Sequence, residues 1–157
     1  MNLTPILINK INKSLWWHVT PDDPDAYKKR GKFLASTFLQ ASFYGRPNKD
    51  PENVTISNPL WADSESKLLK ILFPDSYKVL HRSVKDSHAN WYQRRVELDK
   101  KIYEKAKLLK YDSVVLLTKN GVKELENGRK PSSIELNLCY QLQSAPILRV
   151  ALCTSAV

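Results

Sequence analysis

Two residues in this 157-residue chain carry chemistry that their surroundings do not. His18 closes the apolar run Leu15-Trp16-Trp17-His18-Val19, and Glu135 interrupts Ile134-Glu135-Leu136-Asn137-Leu138. An imidazole titrates near neutrality and can donate, accept or ligate, and a carboxylate beside a reacting centre stabilises developing positive charge. Alternation along the second run puts Ser133, Glu135 and Asn137 on one face of a strand and Ile134, Leu136 and Leu138 on the other. Taken alone, each residue also has a plain structural reading. His18 can be a packed histidine with satisfied ring nitrogens, and Glu135 a solvated residue on the polar face of an edge strand. No metal-ligand spacing, phosphate-cradling glycine loop or nucleophile elbow accompanies them. His81 and His88 are far from His18 in sequence, and Cys139 and Cys153 form no ligand cluster.

The elements that must position these residues follow from periodicity and breakers. Leu15–Val19 reads as a strand, stopped by Thr20-Pro21-Asp22-Asp23-Pro24. A short helix from near Asp22 or Asp25 ends at Gly31, where the strand Lys32–Thr37 starts. Phe38–Tyr44 reads as a second helical stretch, and Val54–Ser57 as an alternating strand stopped by Asn58-Pro59. Ser64 suits the N-cap of a helix running to Phe73. Residues 82–110 read as one long basic helix, with Trp91, Leu98, Ile102, Ala106 and Leu109 as its apolar stripe. Val114–Leu117 is a buried strand, Lys119-Asn120-Gly121 a turn, and Ser133–Leu142 and Ile147–Cys153 the closing strands. Helices gathered in the first two thirds and irregularly spaced strands give an α+β class rather than a βαβ winding. With no repeats and no long linker, residues 1–157 read as one domain.

Taken in order, four segments resemble the signature of the ADP-ribosyltransferase superfamily. They are Trp17-His18-Val19-Thr20, Gly31-Lys32-Phe33-Leu34-Ala35-Ser36-Thr37, Ala41-Ser42-Phe43-Tyr44-Gly45 and Ser132-Ser133-Ile134-Glu135. The resemblance is to the histidine–tyrosine–glutamate branch, which includes diphtheria toxin and the poly(ADP-ribose) polymerases. Val54–Ile56 with Asn58-Pro59-Leu60, and Ala106–Leu109 leading into Tyr111-Asp112-Ser113-Val114-Val115, are similar to segments of small bacterial relatives.

The resemblance implies a split β-sandwich of two small sheets around an NAD cleft, with flanking helices. It further implies that NAD is a substrate, that no metal takes part, and that Glu135 is the catalytic carboxylate stabilising an oxocarbenium-like transition state. His18 would hold a ribose hydroxyl, the backbone of Val19 the nicotinamide amide, and Thr20 the other ribose. Phe33 and Tyr44, eleven residues apart, would sandwich the nicotinamide ring. Lys28, Lys29, Arg30 and Lys32 are candidates for the pyrophosphate. Val19 stands where the branch carries glycine, and Phe33 where it carries tyrosine. Ser133 stands where many relatives carry Glu or Gln, which leaves the acceptor open.

The implied function is mono-ADP-ribosyl transfer to a macromolecule, with a protein favoured over nucleic acid as acceptor. The expected chain is a bacterial or phage effector, acting as a monomer and without a membrane partner. The alternatives are transfer to nucleic acid, or a non-catalytic binding module with a degenerate site. The composition adds 25 basic against 16 acidic residues, a formal charge of +9, which calls for an anionic partner. Residues 82–110 hold 9 Lys/Arg and 4 Asp/Glu in alternation, the pattern of a solvated helix face. No apolar run approaches the ~20 residues that span a bilayer. Leu3–Ile8 is a poor secretory signal, with Lys10 and Lys13 after it. The expected location is therefore the cytoplasm, or a host cell reached without a classical signal peptide.

Overall fold

In the computed structural model, which describes residues 1–86 and 88–139, side-chain caps set three of the helix starts. Ser64 Oγ accepts from Lys67 N–H before α4 (Glu65–Leu72), and Thr37 Oγ1 from Gln40 N–H before α3 (Phe38–Ser42). Thr118 Oγ1 accepts from Gly121 N–H before α7 (Lys119–Glu126). That last cap corrects the expected turn at Lys119-Asn120-Gly121: the segment starts a helix that buries Leu125 completely. A further helix absent from the sequence reading, α1 (Thr4–Asn12), begins with proline in its first turn and buries Leu7 and Ile11.

The strands form two small sheets. β2 (Lys32–Ala35) pairs antiparallel with β6 (Ile134–Leu138), β6 antiparallel with β5 (Ser113–Leu117), and β5 parallel with β4 (Pro59–Ala62). β1 (Leu15–Trp16) pairs antiparallel with β3 (Glu52–Asn53) in a two-stranded sheet. A single antiparallel bridge, Trp17 to Ala35, attaches the end of β1 to β2. The molecule is thus a mixed α+β fold of two small sheets and several helices.

Helices cover the larger sheet on both faces. Leu34, Val115, Leu117, Ile134, Leu136 and Leu138 pack with Leu7 and Ile11 of α1, Leu125 of α7, and Trp16. On the other face Leu60, Ala62 and Val114 pack with Leu68, Leu69 and Leu72 of α4, and with Leu98, Ile102 and Ala106 of α6 (Trp91–Leu108). Among the described residues, no helix is long and apolar enough to cross a membrane.

Three other expectations change. The basic helix expected over 82–110 is two helices, α5 (Tyr77–Lys85) and α6, and Trp91 and Leu109 lie outside the buried stripe. The expected strand Val54–Ser57 does not join a ladder. Its Ile56 peptide is paired by the Asn12 side chain, which donates to Ile56 O and accepts from Ile56 N, while Val54 and Ile56 are buried. Pro59 opens β4 rather than stopping a strand, which an edge strand allows at its first residue. Tyr140 to Leu142 of the expected closing strand, and the expected strand Ile147–Cys153, lie outside the described residues.

Between α2 (Ala26–Arg30) and β2 the chain passes through Gly31 at φ +79°. A Cβ there would sit 2.5 Å from Leu138 O and closer still to Asn137 Oδ1, so only glycine admits this approach of α2 to β6.

A candidate carboxylate site on the central strand

β6 is flanked on both edges, by β2 and by β5. Glu135 therefore belongs to an interior strand, and the edge-strand reading of its polar face is corrected. Register fixes its company. Glu135 lies opposite Ala35 on one side and Leu116 on the other, and Asn137 opposite Phe33 and Val114. Directly opposed residues share a face, so Phe33, Ala35, Val114, Leu116, Glu135 and Asn137 form one patch. Trp17, opposite Ala35, joins it and packs edge-to-face on Phe38 of α3, with ring centroids 5.1 Å apart. Gln40 holds α3 against the start of β6, donating to Ser132 O and accepting from Ser36 Oγ. This brings the loop after α3, with Tyr44, within electrostatic reach of Glu135.

The wall opposite the sheet is charged. Arg95 of α6 donates to Glu65 Oε2 at 2.6 Å and to Asp99 Oδ1 at 2.7 and 3.0 Å, tying the start of α4 to α6. Glu65, Arg95 and Asp99 line one small pocket with Glu135, Phe33 and Asn137. The pocket encloses about 50 Å³, well under a typical ligand cavity, so a ligand would lie across an open face rather than in a closed chamber. Arg95 neutralises part of the charge of Glu65 and Asp99. Glu135, by contrast, accepts no hydrogen bond among the described residues.

Its carboxylate reaches solvent, yet the surrounding protein thins its hydration and raises its pKa; Arg95 opposes that shift, and Glu65 and Asp99 add to it. Burial likewise raises the Asp99 carboxyl, against the pull of Arg95. At Arg95 burial disfavours the charge, but the two carboxylates outweigh it and the guanidinium is held above its usual value. Partial desolvation raises the Tyr44 phenol, with Glu135 and Asp99 adding to the rise. A carboxylate with raised proton affinity and no hydrogen-bond partner among the described residues, on a fixed strand beside the Phe33 ring, is equipped to meet a cationic reacting centre.

His18 does not join this group. Trp17 faces Ala35 and Glu135, so alternation sends His18 to the opposite side of the sheet, where it is 4% exposed. Both ring nitrogens are engaged there: Nδ1 with Phe33 O at 2.7 Å and Nε2 with the Tyr27 hydroxyl at 2.8 Å. A carbonyl only accepts, so Nδ1 carries the proton and Nε2 accepts from Tyr27. Burial lowers the pKa of His18, and the bond to Phe33 O only partly offsets it.

The bond to Phe33 O has a second effect. Trp17 and Ala35 exchange both backbone hydrogen bonds, so the next such pair in an unbroken ladder would be Val19 with Phe33. The imidazole takes that acceptor instead. The N–H and C=O of Val19 are left without a hydrogen bond among the described residues, beside Gly45 and hence beside Tyr44. Thr20 donates to Asn48 Oδ1 at 3.0 Å, and Asn48 N–H donates to His18 O at 2.8 Å, so residues 18–20 are tied to the 43–48 loop.

Of the four basic candidates for a phosphate, Lys32 is bound to Glu52 at 2.5 Å on the His18 side, and Lys29 pairs with Asp23 at 3.1 Å. Lys28 is exposed, and the Arg30 carbonyl accepts from Asn137 Nδ2. Burial pushes the Cys139 thiol up to about 12, which removes it as a nucleophile. Among the described residues no three His, Cys, Asp or Glu side chains are grouped to hold a metal ion.

The structure thus brings Glu135, Phe33, Tyr44 and the Val19 peptide together and leaves His18 on the other side. It adds Arg95, Glu65 and Asp99, which sequence reasoning missed. The only signal was the four-residue spacing of Arg95 and Asp99, which in a charged helix reads as one surface ion pair among many. Compared with family models, curated proteins and solved structures, the chain matches none of them.

Proposed function

We propose that the protein is an NAD-dependent ADP-ribosyltransferase, with Glu135 as its catalytic carboxylate and NAD lying across the open sheet face beside it. The observation that carries this reading is a partnerless Glu135 sharing one sheet face with the Phe33 ring, with the Tyr44 loop within electrostatic reach and the unpaired Val19 peptide in the segment beside that loop. Val19 offers a donor and an acceptor, the pattern that a carboxamide complements, and Phe33 and Tyr44 offer faces for a planar ring. In this reading the bond between C1″ of the ribose and the nicotinamide nitrogen breaks. Nicotinamide leaves with the electron pair, and Glu135 stabilises the positive charge that develops on the ribose. A nucleophilic N–H or O–H of a macromolecule then bonds C1″ and releases its proton. His18 acts through Phe33, holding its carbonyl, rather than by touching a ribose. Thr20 remains the candidate for the second ribose, and Arg30, whose charge acts on the pocket-lining Asp99, is the basic candidate for the pyrophosphate.

The test is release of labelled nicotinamide from NAD by the full chain. Wild type should release it, and a folded Glu135→Ala variant should not. Equal release by the two would overturn the reading. Calorimetry with NAD adds a second check, since no binding at millimolar NAD would leave only a non-catalytic module.

A further inference from the structure

We infer that the acceptor surface beside this site is built for single-stranded nucleic acid, bound along α5 and over the first turn of α6. This rests on the NAD reading of the site and names its second substrate. The sequence favours a protein acceptor, and its basic residues at 82–110, interleaved with acidic ones, read as a solvated face of one helix. The break into two helices separates two populations of charge. Along α6, Lys100 pairs with Glu104 at 3.8 Å and Arg95 is held by Asp99 and Glu65, so that part is a solvated or structural face. Residues 77–96 carry five Lys/Arg and one acidic residue, Asp86. Lys78, Arg82 and Lys85, at spacings of four and three, form an exposed basic stripe on a helix with no acidic residue.

Exposed aromatic rings stand at the end of this stripe. Trp91 is 54% and Tyr92 66% exposed, with exposed Arg94 two residues on. Trp91 is one helical turn from Arg95, about 6 Å along α6 and on the same side, which puts it one turn beyond a residue that lines the Glu135 pocket. Phe33, which lines the pocket, is 42% exposed, and Tyr44, within electrostatic reach of Glu135, is 75% exposed. Cations that track a phosphate chain, leading to flat rings on which bases stack, are what a single strand requires. An acidic protein would use the cations but has no need of solvent-exposed tryptophan and tyrosine beside them. Duplex nucleic acid would leave the rings unused, because its bases are already stacked. On this surface a base stacked at Trp91 would present an exocyclic or ring nitrogen to the ribose C1″ held at Glu135. The C–N bond to nicotinamide breaks, a new C–N bond to the base forms, and the base nitrogen loses a proton to solvent.

The experiment uses the full chain, a mixed-sequence 16-nucleotide single-stranded DNA and its RNA equivalent. Trp16 is buried and Trp17 and Trp61 are half-buried, so Trp91 is the exposed reporter among the four tryptophans. Oligonucleotide should quench its emission, and three phosphate contacts should weaken binding roughly 20-fold between 50 and 200 mM salt. Trp91→Leu should bind about tenfold more weakly when followed by anisotropy of a labelled oligonucleotide. Lys78→Gln combined with Arg82→Gln and Lys85→Gln should flatten the salt dependence. With labelled NAD and an equal mixture of oligonucleotide and lysate protein, label should appear on the oligonucleotide. No binding at 50 mM salt, salt-independent binding, or label on protein alone would overturn the inference while leaving NAD cleavage intact. Oligonucleotide binding without nicotinamide release would instead sink the NAD reading and leave the surface standing.

Discussion

His18 and Glu135 stand on opposite faces of one hydrogen-bonded array, because Trp17 pairs with Ala35, Ala35 pairs with Glu135, and His18 is one residue out of phase with Trp17. The two residues that stood out in the sequence therefore do different work. Glu135 presents a carboxylate to the open face. His18 occupies a backbone acceptor from behind and frees the peptide of Val19.

Glu135→Gln is expected to cut nicotinamide release by about 10²–10³-fold, the cost of one preorganised electrostatic partner. The same variant should be slightly more stable at neutral pH. The raised pKa means the folded state holds the Glu135 proton more tightly than the unfolded chain. Its contribution is complete below the unfolded carboxyl value and is lost as pH rises through the folded one. A neutral amide avoids that loss. Since the group reaches solvent, the gain is screened and should be about 1 °C in Tm. It should vanish in acid, and thermal melts at pH 4 and pH 7.5 check it.

Arg95→Met and Glu65→Gln should move the acid limb of the pH–activity profile in opposite directions. Arg95 lowers the proton affinity of Glu135 and Glu65 raises it. Removing the cation should shift the limb up, and removing the carboxylate should shift it down. A ¹³C NMR titration of the Glu135 carboxyl follows the same shifts without relying on turnover. Two variants that both lose activity with no displacement would show that the cluster only packs α4 against α6.

His18→Ala should cost about 2 kcal/mol of stability, because the Tyr27 hydroxyl and Phe33 carbonyl lose a partner. The folded-state pKa of His18 is depressed, so its contribution is present above about pH 6.5 and is lost as pH falls toward the folded value. Urea denaturation at pH 5 and pH 7.5 should show a slope in wild type that the variant lacks. If His18 instead touched substrate, the variant would keep its stability and raise KM.

Gly31→Ala should destabilise the protein by at least about 2 kcal/mol, since the positive φ and the contacts with Leu138 O and Asn137 Oδ1 leave no room for a methyl group. Denaturation of the purified variant measures it directly. The substitution should also loosen the support beneath Phe33, two residues on, and raise KM for NAD.

Much of the local architecture is legible in the sequence, because its signals are local. Gly31 ends a helix, Ser64 caps one, and alternation in Ile134–Leu138 assigns Glu135 and Asn137 to one face and the three apolar residues to the other, although Asn137 is itself buried. Signals fail where a distant side chain decides. Val54–Ser57 has the alternation of a strand, but Asn12 takes the peptide of Ile56. Lys119-Asn120-Gly121 has the composition of a turn, but the Thr118 cap starts a helix there. In the candidate site, Phe33, Tyr44 and Glu135 are proposed from their order along the chain, whereas the face on which His18 lies depends on the pairing of Trp17 with Ala35. Arg95 and Glu65 are 30 residues apart and meet only because α4 and α6 pack together.

Because β6 is clamped along both edges, the placement of Glu135 cannot drift independently of folding. A slip of one residue in either ladder would turn the carboxylate into the apolar layer of Leu7, Ile11 and Leu125, and would expel Leu136 to the pocket. The same hydrophobic penalty that fixes the strand thus proofreads the site. Misregistered molecules lose the hydrophobic core and the carboxylate's placement together, and a population that has folded at all carries its carboxylate on the open face.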